Sequence, residues 1–109
     1  MAGFFKIFSA AWLYDEKVVA MNDTLQAGFV RLLALANELS ENGHFLAPGN
    51  VSYTREQILK AARVTEGTFD HLASLAIVGK DRDCFLIVNW KKYQSEYSRQ
   101  KGYRAKKKL

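Results

Sequence analysis

From Thr24 to Ser40 the apolar residues Leu25, Phe29, Leu32, Leu33, Ala36 and Leu39 return at steps of three and four. That spacing predicts one face of an amphipathic helix. Asn22 and Asp23 precede it as capping residues, and Gly43 follows where a left-handed terminator belongs. Upstream, Phe4-Phe5-Lys6-Ile7-Phe8 is a short apolar run compatible with a strand. Asp15 to Met21 predicts a short helix with acids in its first turn, where the helix dipole favours them. Downstream, His44 to Asn50 predicts a short edge strand and a turn, with Pro48 and Gly49 as breakers.

Thr54 and Gln57 form a capping box for a second helix, Arg55 to about Arg63, whose inward face is Ile58, Leu59 and Ala62. Thr65 caps a third helix running to about Ala76, with Phe69, Leu72, Ala73 and Ala76 on its inner face. The few residues between these helices match helix-turn-helix spacing. Ile77-Val78-Gly79 and Cys84-Phe85-Leu86-Ile87-Val88 flank the polar turn Lys80-Asp81-Arg82-Asp83 and predict a β-hairpin. The second run is apolar on both faces, so both should be covered. From Trp90 the pattern turns helical, with Tyr93 and Tyr97 one turn apart and Gly102 at the end. The order helix, short strand, helix, helix, hairpin predicts an α+β, mainly helical, winged-helix domain over residues 1–90. Residues 91–109 then form a basic C-terminal helix and a disordered tail.

Composition narrows the function classes. A chain of 109 residues suits one domain, and 49% hydrophobic residues suit a globular one. The single cysteine, Cys84, cannot make an internal disulfide, which fits a reducing cytosol. No apolar run approaches the roughly 20 residues of a membrane span. The opening residues lack the charged start and cleavage site of a signal peptide, so a cytoplasmic protein is expected. The net charge of +5 is unevenly spread: from Lys91 onward eight cations face Glu96 alone, giving +7 and leaving −2 for residues 1–90. Such asymmetry points to a polyanionic partner for the tail, or to a solvated, solubilising segment.

Catalytic patterns are missing. His44 and His71 lie far apart, no Cys or His pair has zinc spacing, and there is no phosphate loop or nucleophile elbow. Cys84 falls within an apolar strand, where a thiol is inert. The expectation is no enzyme, metal, cofactor or small-molecule substrate. DNA binding fits better. In a helix-turn-helix the third helix lies in the major groove, and here its outer positions are Thr65, Glu66, Gly67, Thr68, Asp70, His71 and Ser74. Thr68, His71 and Ser74 are the candidates for base or sugar contacts, whereas Glu66 and Asp70 repel phosphates. The face lacks the Arg, Lys, Asn or Gln of a typical base reader. Lys80 and Arg82 would serve from the wing, and Lys91, Lys92, Arg99, Arg104, Lys106, Lys107 and Lys108 would contact phosphates. Tyr93 and Tyr97 could stack on bases or pack against the hairpin. Two rival readings are a protein-interaction and oligomerisation scaffold and a small phage transcription regulator.

Several segments in order also resemble a known family. They are Phe5-Lys6-Ile7-Phe8, Asp15-Glu16-Lys17-Val18, Phe29 to Ala36, Asn42-Gly43, Tyr53 to Ile58, Thr68-Phe69 and Leu86-Ile87-Val88-Asn89-Trp90-Lys91-Lys92-Tyr93-Gln94. Together they resemble the N-terminal domain of phage replisome organisers, replication-initiation proteins related to the bacterial DnaD-type primosomal proteins. The resemblance implies origin binding in phage DNA replication within a bacterial host, recruitment of host helicase-loading proteins, and self-association into homo-oligomers. Relatives carry a further C-terminal region. The resemblance therefore implies either a piece of a longer protein or a small protein that keeps only this module.

Overall fold

The computed structural model describes residues 9–40 and 42–90. The strand expected at Phe4–Phe8, the helix expected to carry Tyr93 and Tyr97 and to end at Gly102, and the tail expected beyond it all lie outside the described residues. Among the described residues five helices and two antiparallel hairpins make an α+β fold: α1 (Ser9–Tyr14), α2 (Glu16–Val19), α3 (Asp23–Leu39), β1 (Leu46–Ala47), β2 (Val51–Ser52), α4 (Arg55–Ala62), α5 (Glu66–Ser74), β3 (Val78–Asp81) and β4 (Cys84–Ile87). Among the described residues no helix is long and apolar enough to cross a membrane.

Helix α3 is the spine. Asn22 Oδ1 accepts from Leu25 N at 2.9 Å to cap its start. Its apolar stripe buries Leu25, Phe29, Leu32, Leu33 and Ala36, with Gly28 among them. The helix ends on Ser40 in extended conformation, not on Gly43. The Ser40 hydroxyl closes that end, accepting from His44 N at 3.1 Å and donating to His44 O at 3.0 Å. Gly43 is left-handed, with φ 78°, for a different reason: a Cβ there would sit 2.6 Å from Trp90 Cγ. Only glycine lets the backbone lie against that buried indole.

The short helices follow their caps. Asp15 Oδ1 accepts from Lys17 N and opens α2. The capping box of α4 is complete, with Gln57 Oε1 accepting from Thr54 N at 2.8 Å and Thr54 Oγ1 from Gln57 N at 3.2 Å. Arg63, at φ 57°, terminates α4, and Thr65 caps α5 two residues later. The inward face of α5 is Thr68, Phe69 and Leu72. Ala73 and Ala76, expected inside, are exposed. The helix stops at Ser74, so the left-handed Ala76 belongs to the turn beyond it.

The strands are shorter and more connected than periodicity suggests. The turn of the second hairpin is the pair Arg82-Asp83, because Asp81 already pairs with Cys84 and Lys80 with Phe85. Lys80 is therefore a strand residue and not part of the turn. His44 bridges Leu86 antiparallel, with Phe45 N donating to Phe85 O and Ile87 N to Gly43 O, both at 2.9 Å. Residues 43–45 thus lie beside β4, on the side away from β3. They then run into β1, which pairs with β2. Phe45, Leu32, Leu33, Ile58, Leu72, Ile77 and Ile87 are fully buried where α3, α4 and α5 meet this sheet. Each such side chain stabilises the fold by about 1.5–3 kcal/mol relative to exposure.

Candidate nucleic-acid interface

The expected contact residues separate into three groups. His71 on α5, Lys80 at the end of β3 and Arg82 in the turn are all exposed, as their positions predict. Lys80 Nζ lies 4.9 Å from the centroid of the Phe85 ring, so its ammonium is held close to the strand by a cation–π contact. Ser74 is exposed too, but its hydroxyl donates to His71 O at 2.6 Å. Only its lone pairs remain for an outside partner.

Thr68 does not belong to this face. It is 8% exposed, and its Oγ1 accepts from the Thr65 hydroxyl at 3.0 Å. Its methyl lies against α3 at Gly28, where a Cβ would come within 2.5 Å of Thr68 Cγ2. The missing side chain at Gly28 makes the room that draws Thr68 inward. A threonine between polar neighbours reads as exposed, and only the glycine forty residues earlier signals otherwise. The third group, Lys91, Lys92, Arg99, Arg104, Lys106, Lys107 and Lys108, lies outside the described residues.

Sequence spacing missed Arg55, eleven and fifteen residues before its partners. Its Nη1 donates to Glu66 Oε1 at 3.2 Å and its Nη2 to Asp70 Oδ1 at 2.7 Å. The fork of the guanidinium spans two carboxylates one helical turn apart, a geometry open to Arg and not to Lys. The Asp70 hydrogen bond in particular holds the Arg55 pKa above its ordinary value. The same guanidinium sits 5.7 Å from the Phe69 centroid, and Phe69 meets Phe85 edge-on at 5.5 Å. Arg55, Phe69, Phe85 and Lys80 therefore form a cation–ring–ring–cation series. It ties the start of α4 through α5 to the hairpin.

This series changes the electrostatics of the face. Glu66 and Asp70 share the charge of Arg55 and do not confront a polyanion unopposed. From Arg63 to Asp83 three cations stand against four acids, and Arg55 brings the balance to zero. The helix–hairpin surface is thus neutral, with its remaining positive charge at Arg63, Lys80 and Arg82 on the rim. Such a surface permits DNA contact but supplies no net attraction. Among the described residues no group of three His, Cys, Asp or Glu could hold a metal. Cys84 is half-buried, with its thiol donating to Phe85 O at 3.3 Å. No family model, no curated protein and no solved structure matches the chain.

Proposed function

We propose that the chain is a winged-helix DNA-binding module of a phage-type replication-initiation protein. On this reading α4 and α5 are the helix-turn-helix, the β3–β4 hairpin is the wing, and residues 43–45 are the strand that completes the sheet. Support comes from the three-residue step between α4 and α5, the pairing of residues 43–45 with β4 and the exposure of His71, Lys80 and Arg82. The observation that carries it is the division of charge. The α5–hairpin surface is balanced, while a +7 segment begins directly after the buried Trp90. Affinity would come from that segment's hold on phosphates, and α5 with the wing would set orientation. His71, Ser74, Lys80 and Arg82 are the body's contacts. Self-association and recruitment of helicase-loading proteins belong to the same proposal.

Fluorescence anisotropy on duplex oligonucleotides across a salt series tests it. Reversing Arg104, Lys106, Lys107 and Lys108 to Glu should weaken binding on every sequence. It should also flatten the slope of log K against log salt by about 0.9 for each phosphate no longer neutralised. Equal binding by wild type and variant at moderate salt would sink the role given to the basic segment. A second reading, a docking scaffold without DNA binding, is favoured by the exposed carboxylates of Glu66 and Asp70 on α5. Absence of any salt-sensitive binding by the full chain would select it.

A further inference from the structure

Among the described residues seven have a left-handed backbone, and four of them are glycine or asparagine, which adopt it at low cost. Two of the other three are arginines, Arg63 at φ 57° and Arg82 at φ 58°. The third is Ala76, in the turn after α5. An arginine gains nothing locally from this conformation, because its Cβ crowds the following carbonyl. Both arginines border the proposed DNA-binding elements. Arg63 closes α4 two residues before the cap of α5, and Arg82 lies in the turn of the β3–β4 hairpin.

The backbone of Arg63 is committed on both sides. Its N–H donates to Leu59 O, and its carbonyl accepts from Arg31 Nη1 at 3.3 Å. Its side chain is exposed and makes no ion pair among the described residues. Glu66 and Asp70, the acids that follow it in the chain, are bridged by Arg55. Arg31 spends one of its five donors on the Arg63 carbonyl and so brings a second cation to the same turn. The two arginines line one hollow whose floor is Ala34, Leu35, Ala61 and Ala62. Glu38 is the single acid on that lining. It stands seven residues beyond Arg31 on α3, about 10 Å further along the axis.

We propose that Arg63, with Arg31 beside it, binds a backbone phosphate of DNA at the α4–α5 turn. The site rests on the DNA-binding reading and adds to it a contact outside α5, the wing and the basic segment. A guanidinium fork matches two phosphate oxygens at once. The alanine-rich floor suits the apolar face of a deoxyribose next to that phosphate. Strain at Arg63 is then a cost carried for the ligand, since glycine would fit the turn better and bring no charge. Arg82 holds the corresponding place at the wing, so cations flank α5 on both sides along the chain.

Fluorescence anisotropy of the full chain on duplex oligonucleotides across a salt series, beside urea denaturation, separates the charge of Arg63 from its place in the fold. Arg63→Gly relieves the left-handed strain but loosens the unfolded chain, so the urea midpoint should hold or rise. DNA affinity should fall alike on all sequences. The slope of log K against log salt should flatten by about 0.9 for the lost phosphate contact. Arg63→Asn, which also tolerates the turn, should repeat both results, whereas Arg63→Lys should keep the slope because the charge remains. Unchanged affinity and slope in Arg63→Gly, beside a wild type that binds, would overturn the site and leave the DNA reading standing. A wild type without salt-sensitive binding would take both down. Inorganic phosphate added at fixed ionic strength tests a second source of the same chemistry. Competition seen with the wild type and lost in Arg63→Gly would give the site to a free anion and overturn its assignment to a DNA strand.

Discussion

Arg55 is the side chain on which the electrostatics of the α4–α5 surface turn. With both donors committed to Glu66 and Asp70, its removal would uncover two carboxylates beside the proposed DNA path. Arg55→Ala should weaken DNA binding on all sequences, most at low salt, while leaving the folded helix content unchanged by circular dichroism. Arg55→Lys should recover part of the affinity, because an ammonium supplies the charge without the fork. Gly43 poses a steric question. With φ 78° and Trp90 within 2.6 Å of any Cβ, Gly43→Ala combines a left-handed penalty of about 1–2 kcal/mol with a clash. A urea titration should show at least that drop in stability. The Arg55 bridge was illegible from sequence because it joins two helices through no repeating interval. The exposure of His71, Lys80 and Arg82 was legible because each is a polar residue in or beside a strongly patterned element, although Lys80 proved to lie in the strand and not in the turn.

At the scale of elements the decisive contact is α3 against α5. Replacing a mid-helix glycine by alanine ordinarily stabilises by about 1 kcal/mol. At Gly28 the new methyl would meet Thr68 Cγ2 at 2.5 Å, and overpacking of that kind costs about 1–3 kcal/mol. Gly28→Ala should therefore destabilise the protein in chemical denaturation. Adding Thr68→Ser, which removes the offending methyl and keeps the hydroxyl that bonds Thr65, should restore stability. If Gly28→Ala alone were stabilising, the close approach of the two helices would be wrong. Helices α3, α4 and α5 were readable because their caps are side-chain signals written within a few residues of each start. Helix α1 has no acid in its first turn, and β2 is two residues long. The bridge from His44 to Leu86 exists only through pairing with β4, 42 residues away. Local pattern cannot express that pairing.

The whole molecule distributes its charge unevenly. A core centred on α3 holds the helices and the small sheet together. The α5–hairpin face is electrically balanced, and the excess positive charge is concentrated after residue 90. Lys80→Glu with Arg82→Glu should consequently lower DNA affinity less than the same number of reversals among Lys106, Lys107 and Lys108, compared at one salt concentration by anisotropy. The opposite ranking would make the wing the principal grip. The order of α2 to α5 and of the β3–β4 hairpin, and with it the α+β class, was legible because each helix is separately patterned, whereas α1 and the pairing of β1 with β2 were not. The inward turn of Thr68 and the neutralisation of Glu66 and Asp70 arise only once distant segments meet.

The burial of Trp90 against Gly43, set beside the stacking of Trp12 on Phe29, has an optical consequence. The two indoles stand near opposite ends of the described chain in unlike surroundings, one 7% exposed and the other half-buried. Trp90 should emit further to the blue and resist aqueous quenchers, whereas Trp12 should not. In a Trp12→Phe chain the remaining emission comes from the residue next to Lys91. Engagement of the basic segment could then be followed by intrinsic fluorescence, with no attached dye.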